Sequence, residues 1–311
     1  KVLYHGDRPS TVSQINAYLM EAPNVFVISR RENLSGMPLF KHGSKPSDGG
    51  YLILSEAERA EILNKYPTAE KYIRQYSGGI DFLRNQIRYC LWLKGASPKE
   101  LLKYPPIIER IKGVKESRLA SSAKATRDKA DTPTLFFTNT QPESGMMLVC
   151  PQVSSGNRRY IPMGFYSADI IISDKLLRIA DTTLYHFGVL QSNVHNSWVR
   201  AFAGRLKSDF TYSVNIVYNN FPWPNPSDKQ RAAIEKTAQG ILDARALYQD
   251  SSLADLYDEL TMPKELRAAH RANDKAVMTA YGFWGKLNTE SECVGELMRM
   301  YQELVRKQAF I

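Results

Sequence analysis

Tyr218-Asn219-Asn220-Phe221-Pro222-Trp223-Pro224 is the stretch on which the reading of this 311-residue chain turns. It carries no charge, and Pro222 and Pro224 push the residues before them into extended backbone. Trp223 presents a large ring that gains most when buried against a neighbouring layer. The stretch reads as a packed domain closure; stacking of Phe221 or Trp223 on a base is the lesser alternative.

The sequence on its C-terminal side is helical. Periodic apolar positions cover roughly 228–248, 253–259, 263–281 and 290–308, separated by Gly, Pro and Ser/Asp signals. On the N-terminal side short strands are expected at Leu135–Thr138, Met146–Cys150, Tyr160–Met163, Ile170–Ile172 and Thr183–Phe187. Ser192–Gly204 reads as an amphipathic helix whose Val194, Trp198, Val199 and Phe202 pack into a core rather than stack on bases. Further upstream, Val25–Ile28, Tyr51–Leu54 and Arg88–Leu93 are β-prone. Ser55-Glu56-Ala57-Glu58 and Ser97-Pro98-Lys99-Glu100 have capping-box form, in which a Ser hydroxyl and a Glu three residues later satisfy two amides. A helix after Pro105-Pro106 would bury Ile107, Ile108, Ile111 and Val114, and turn Arg110, Lys112, Lys115 and Arg118 outward. The fold class expected is α+β, a mixed α/β domain followed by a C-terminal helical bundle, with boundaries at 1–30, 31–225 and 226–311.

The apolar fraction of 43% is enough to build a core and excludes general disorder. No run of 18 apolar residues occurs, so no membrane-spanning helix is expected. Cys90, Cys150 and Cys293 are distant in sequence and odd in number, which argues for a reducing cytoplasm rather than a disulfide framework. The chain starts at Lys1 without a leader pattern and reads as part of something longer. Its net charge of +9 is uneven. Residues 1–225 hold 29 Lys+Arg against 19 Asp+Glu, and residues 226–311 hold 12 against 13. A basic module facing a polyanion, followed by a neutral module, accounts for that asymmetry. The basic surplus is densest over 84–131, where Arg110, Lys112, Lys115, Arg118, Lys124 and Arg127 could track phosphates; an ordinary solvated face is the alternative. Asn157-Arg158-Arg159, in a Ser/Gly-rich loop, suits a groove or a phosphate, or equally an exposed turn.

Catalytic motifs are missing from the sequence. The 18 glycines never form a G-x-G, there is no P-loop, and no Glu is followed two residues later by Lys. The histidines His5, His42, His186, His195 and His270 have no zinc-type spacing, and His186 and His195, nine residues apart, read as structural or solvent-facing rather than as a shared site. No catalytic or metal-ligating residue is assigned.

Six strings taken together carry a resemblance. They are Lys45-Pro46-Ser47-Asp48-Gly49-Gly50, Tyr89-Cys90-Leu91-Trp92-Leu93, Arg159-Tyr160-Ile161-Pro162-Met163-Gly164-Phe165, Leu184-Tyr185-His186-Phe187-Gly188, Gly204-Arg205-Leu206-Lys207-Ser208-Asp209 and the closure stretch itself. In this order and spacing they resemble the C-terminal half of the MmeI-like (type IIL) restriction–modification DNA methyltransferases, over roughly residues 15–285. The resemblance implies a target recognition domain over 31–225 and a C-terminal helical domain over 226–311. Residues 1–30 would then connect to an upstream methyltransferase domain that binds S-adenosylmethionine and methylates adenine at N6. Neither catalytic motif of such a domain is in this chain, so no cofactor and no methyl transfer are expected of it alone. Double-stranded DNA is the implied partner.

Lys207, Asp209 and Thr211 alternate with apolar or small residues, and if extended they share one face. A cation, a carboxylate and a hydroxyl can read base edges in the major groove; a solvent face with a Lys–Asp pair is the plain alternative. The resemblance places this stretch on the base-reading surface. Arg110, Lys112, Lys115, Arg118, Lys124, Arg127, Arg158, Arg159 and Arg205 are the expected phosphate contacts. Two other readings stay open from the residues alone: a protein-interaction scaffold, and an RNA-binding accessory domain.

Overall fold

The computed structural model describes residues 1–5 and 8–309. Gly6 and Asp7 of the expected connector, and Phe310 and Ile311 of the expected helical domain, lie outside the described residues. The chain forms two compact units, neither continuous in sequence. The first comprises Lys1–Phe40, Gln152–Gly164 and Ile179–Ile311; the second comprises Lys41–Pro151 and Phe165–Arg178.

The second unit is built on a four-stranded sheet in the order Ile171–Ile172, Ile73–Ser77, Arg88–Leu91, Ile53–Leu54. Its pairs are antiparallel except the first, which is parallel. Ser55 and Glu58 close their capping box, with Glu58 N–H donating to Ser55 Oγ at 3.3 Å and Ser55 N–H to Glu58 Oε2 at 2.7 Å. The helix Glu56–Lys65 follows. Helix Pro105–Leu119 starts on its two prolines and fully buries Ile107 and Val114 against Leu52, Leu54, Leu91 and Tyr104. A second four-stranded sheet runs in the order Phe40–His42, Leu176–Ala180, Met146–Pro151, Gly164–Ser167.

Two expected elements of this unit fail to form as read. The second capping box yields only the four-residue helix Pro98–Leu101, and Ser97 makes no side-chain cap. Leu135–Thr138 is not a strand: only Thr138 bridges, to Lys45, and the Leu135 carbonyl is taken by a side chain, Arg118.

The first unit is mostly helical: Leu184–Leu190, Asn193–Phe202, Asp228–Ala246, Leu253–Leu256, Lys264–Tyr281 and Glu290–Ala309. Helix Asp228–Ala246 packs on Leu184–Leu190 and Lys264–Tyr281, while Glu290–Ala309 packs on Asn193–Phe202. Gly188 permits the close approach of Leu184–Leu190 to Asp228–Ala246, since a Cβ there would stand 2.6 Å from Ile234 Cγ2. Trp198 is fully buried, as its place on the apolar stripe requires, and its indole N–H donates to Val217 O at 3.0 Å.

Thr183–Phe187 turns out helical rather than extended. His186 Nδ1 accepts from Thr183 N–H at 3.1 Å, so an imidazole supplies the reciprocal half of the cap. Val25–Ile28 and Tyr160–Met163 are not strands either, because side chains occupy the backbone groups a neighbouring strand would need. Asn220 Nδ2 donates to Ile28 O at 2.8 Å, and Tyr18 OH accepts from Val27 N–H at 3.0 Å. Asn196 and Gln191 serve Ile161 in the same way, at 2.9 and 2.6 Å.

The closure stretch sits at the centre of this unit. Tyr218 and Phe221 are fully buried and Trp223 nearly so, which leaves no face of Phe221 for a base. Val214–Tyr218 is a π-helical turn, with Asn219 N–H donating five residues back to Val214 O at 2.9 Å. The wider turn lets Asn219 and Asn220 reach the segment 28–30, where Asn219 Nδ2 meets Arg30 O at 2.8 Å.

Candidate nucleic-acid interface

Residues 204–211 form a hairpin rather than one extended strip. Gly204–Leu206 pairs with Asp209–Thr211, and the latter pairs with Val153–Ser154. Lys207 and Ser208 are the two turn residues, and Lys207 takes φ 56°, at a position where such turns favour glycine. The expectation of three residues on one strand face is therefore corrected. Asp209 and Thr211 do share a face, two residues apart on one strand, but Lys207 belongs to the tip. The register sets Arg205 opposite Phe210, on the other face of the ribbon, with its guanidinium 3.8 Å from the Phe210 ring centre.

The loop carrying Asn157, Arg158 and Arg159 reaches this hairpin through its glycine. Gly156 N–H donates to Asp209 Oδ1 at 3.4 Å. A Cβ at 156 would collide with the Ser208 carbonyl, so the approach depends on glycine. Arg205 reaches Ser208 O at 3.5 Å and Arg200 O at 3.4 Å, and Arg200 donates to Arg159 O at 2.7 Å. The first unit thus brings Lys207, Asp209, Thr211, Arg205 and the Arg158-Arg159 loop into one connected group. A cleft of about 780 Å³ opens beside the loop, lined among others by Asn157, Arg158, Arg159, Arg200, Trp284 and Glu290.

The remaining expected phosphate contacts lie in the second unit and divide sharply. Lys112, Lys115, Lys124 and Arg127 are exposed. Lys115 pairs with Asp131 at 3.4 Å and Lys124 with Asp128 at 2.8 Å, both in solvent where such pairs hold weakly. Arg118 is the opposite case and is withdrawn as a phosphate contact. It is fully buried and donates to the carbonyls of Pro46, Ser47, Lys129, Thr132 and Leu135. Arg110 is also committed inward, to Glu58 and the carbonyls of Tyr51 and Ile53. A guanidinium carries five donors and can close a cluster of carbonyls that lysine could not; helical periodicity alone does not reveal this.

Residues beneath the loop escaped the reading of the sequence. Asp274, on helix Lys264–Tyr281, is 6% exposed. Its Oδ2 accepts from Tyr160 OH at 2.6 Å and its Oδ1 from Asn193 N–H at 2.7 Å. Burial pushes its carboxyl up to about 6, against the opposing pull of those hydrogen bonds and of Arg159 and Arg200. His270 stacks on Tyr160 with ring centres 4.1 Å apart, and its Nε2 meets Tyr257 OH at 2.8 Å. The available signal was polar residues at His270, Asn273 and Asp274, on the same helix face as Leu266 and Val277. His195 is fully buried, its Nε2 2.9 Å from Tyr212 OH, and burial lowers its pKa to about 3. Among the described residues no group of three or more His, Cys, Asp or Glu could hold a metal, and no helix is long and apolar enough to cross a membrane.

The fold defines the class first, an α+β unit with exposed cations joined to a polar hairpin and a helical C-terminal part. The family follows. A model for "MmeI, target recognition domain" matches residues 21–225, and one for "MmeI, C-terminal domain" matches 226–309. The chain belongs to the MmeI family. It is similar to DNA methyltransferase A of Bacillus subtilis (strain 168), at 38% identity over 307 residues, 99% of this chain and 35% of that protein. It is also similar to the type IIL restriction–modification enzyme MmeI, solved in complex with DNA. There the TM-score is 0.91 at 41% identity, covering 96% of this chain and 40% of that one. The chain therefore spans well under half the length of either relative.

Proposed function

We propose that this chain is the DNA-recognition module of a restriction–modification methyltransferase. The single observation that carries the reading is the likeness, at TM-score 0.91 and 41% identity, to an enzyme solved on DNA. The parent protein would supply an upstream domain that binds S-adenosylmethionine and transfers methyl to adenine N6, in the cytoplasm. The segment 1–30 would link that domain to a recognition part over 31–225 and a helical part over 226–311. The chain alone would hold no cofactor and transfer no methyl group.

Within the module the hairpin is the base reader. Lysine at 207 donates and Asp209 accepts, so the pair matches the guanine and cytosine edges of one G·C pair, and Thr211 lies next on the Asp209 face. The Gly156 contact orients the Asp209 carboxylate. Arg205 on the hairpin, Arg158 and Arg159 beside it, and Lys112, Lys115, Lys124 and Arg127 in the second unit are the phosphate contacts. Charge of this kind gives affinity without sequence information.

Titration of the chain against duplex DNA, single strands and structured RNA at two salt concentrations tests the reading. Preference for duplex with strong salt dependence is the expected outcome. Preference for RNA, or absent binding, refutes it. Methyl transfer by the purified chain given S-adenosylmethionine would refute the assignment of catalysis to another domain.

A further inference from the structure

The C-terminal helices make two separate holds on the arginine loop. The first is Asp274. One carboxylate oxygen takes the hydroxyl of Tyr160, the residue that follows Arg159, at 2.6 Å. The other takes the amide of Asn193, the first residue of helix Asn193–Phe202, at 2.7 Å. The second hold runs through Glu290. It pairs with Arg200 Nε at 2.7 Å, and the Arg200 guanidinium then donates to the Arg159 carbonyl, also at 2.7 Å. Arg200 itself lies in the last turn of the helix whose start Asp274 holds.

Tyr160 is 3% exposed and stacked on His270, so Asp274 anchors a residue that cannot swing out. The adjacent Arg159 is exposed. A buried anchor next to an exposed arginine is an arrangement that limits where a long cationic side chain can reach. Since the ordering cost of a mobile loop is subtracted from its binding energy, holding it in advance raises affinity.

We infer that Asp274 and Glu290 are positioning residues: the C-terminal helical part presents the Asn157-Arg158-Arg159 loop to DNA. This rests on the reading of that loop as a DNA contact. It assigns to the helical part a task other than solubility or bulk.

The test uses the full 311-residue chain and two readouts. Amide hydrogen exchange over 156–160 reports the hold on the loop without any DNA. Affinity for duplex DNA across a salt series reports its use. Asp274→Ala should raise exchange at least tenfold over 156–160. It should also lower the log–log salt slope by the same amount as the double substitution Arg158→Ala with Arg159→Ala, about 0.9 for each phosphate no longer neutralised. Combined, the three substitutions should weaken binding no further than the arginine pair alone. Asp274→Asn, which keeps an acceptor for Asn193 and a polar partner for Tyr160, should restore both readouts. Glu290→Gln, at a half-exposed position that leaves the buried anchor intact, should loosen the loop to a lesser degree and serves if Asp274→Ala fails to fold.

Wild-type exchange in folded Asp274→Ala and in Glu290→Gln overturns the inference. So does a loss of affinity in Asp274→Ala that adds fully to that of the arginine pair. If the arginine pair alone leaves affinity unchanged, the loop is not a DNA contact and presentation to DNA falls with it; increased exchange would then retain only a structural anchor.

Discussion

Two arginines eight residues apart on one helix, Arg110 and Arg118, show how little a residue's type says about its work. Both fit a basic outer face by helical spacing, and both turn inward. Arg118→Ala would leave the carbonyls of Pro46, Ser47, Lys129, Thr132 and Leu135 without their shared donor in a buried site. It should destabilise the protein by about 3 kcal/mol or more, whereas Lys112→Ala should stay within about 0.5 kcal/mol; urea unfolding of the two variants measures the contrast. His195 makes a second prediction at this scale. Its pKa falls from 6.5 to about 3 on folding because burial disfavours the charged ring. The unfolded chain therefore binds the proton more readily, so the stabilisation is fully present above about pH 6.5 and is lost as pH falls toward 3. The protein should lose stability progressively over that window. In His195→Gln, which cannot take the proton, the fall should be shallower by the share due to this ring. Equal slopes for the two proteins, from unfolding curves between about pH 4 and 7, would contradict it.

Among the elements, the hairpin Gly204–Thr211 carries the base-reading part of the proposal. Its two-residue turn keeps the tip short, so Lys207 and Asp209 stay near each other while the strand pairing with Val153–Ser154 holds the ribbon at its base. Lys207→Ala should lower discrimination at one base pair by about 1–3 kcal/mol and leave other positions nearly unchanged. The inverted pair, Lys207→Glu with Asp209→Arg, exchanges donor and acceptor, and should favour C·G where the native pair is expected to favour G·C. The measurement is binding to a set of duplexes randomised across the site. A uniform loss of affinity without a changed preference would return both residues to a solvent or phosphate role.

For the whole molecule, charge should act as a sum over many phosphates rather than through any one residue. Lys115 and Lys124 of the second unit sit in pairs that solvent screens, so they can exchange a carboxylate partner for a phosphate at little cost. Neutralising Lys112 and Lys115 together should weaken binding to every duplex alike and reduce the log–log salt slope by about 0.9 for each phosphate no longer neutralised. An unchanged slope would place both on an idle face. Substituting Lys207 should instead leave the slope nearly unaltered while changing sequence preference, so the two experiments separate affinity from specificity in one protein.

Local chemistry in the sequence determined the elements whose hydrogen bonds close within a few residues. Ser55 and Glu58 cap each other three residues apart, the two prolines at 105 and 106 start a helix, and apolar spacing buries Ile107, Val114, Val194 and Trp198. The closure at 218–224 was legible for a related reason, since three aromatics in an uncharged stretch with two prolines must find cover. The tertiary structure alone decided where backbone groups had a choice of distant partner. Val25–Ile28 and Tyr160–Met163 carry strand-like side chains, yet Asn220, Asn196 and Gln191 take their amides and carbonyls. Thr183–Phe187 belongs with the local class, since the cap that starts its helix joins Thr183 to His186 three residues on. The same division separates the site residues. Asp209 and Thr211 share a face by strand period, but the Gly156 contact and the anchors at Asp274 and Glu290 join segments from 53 to 114 residues apart along the chain. No local pattern encodes a partner at that distance, because a hydrogen bond depends on which groups the folded chain brings within reach and not on their order in sequence.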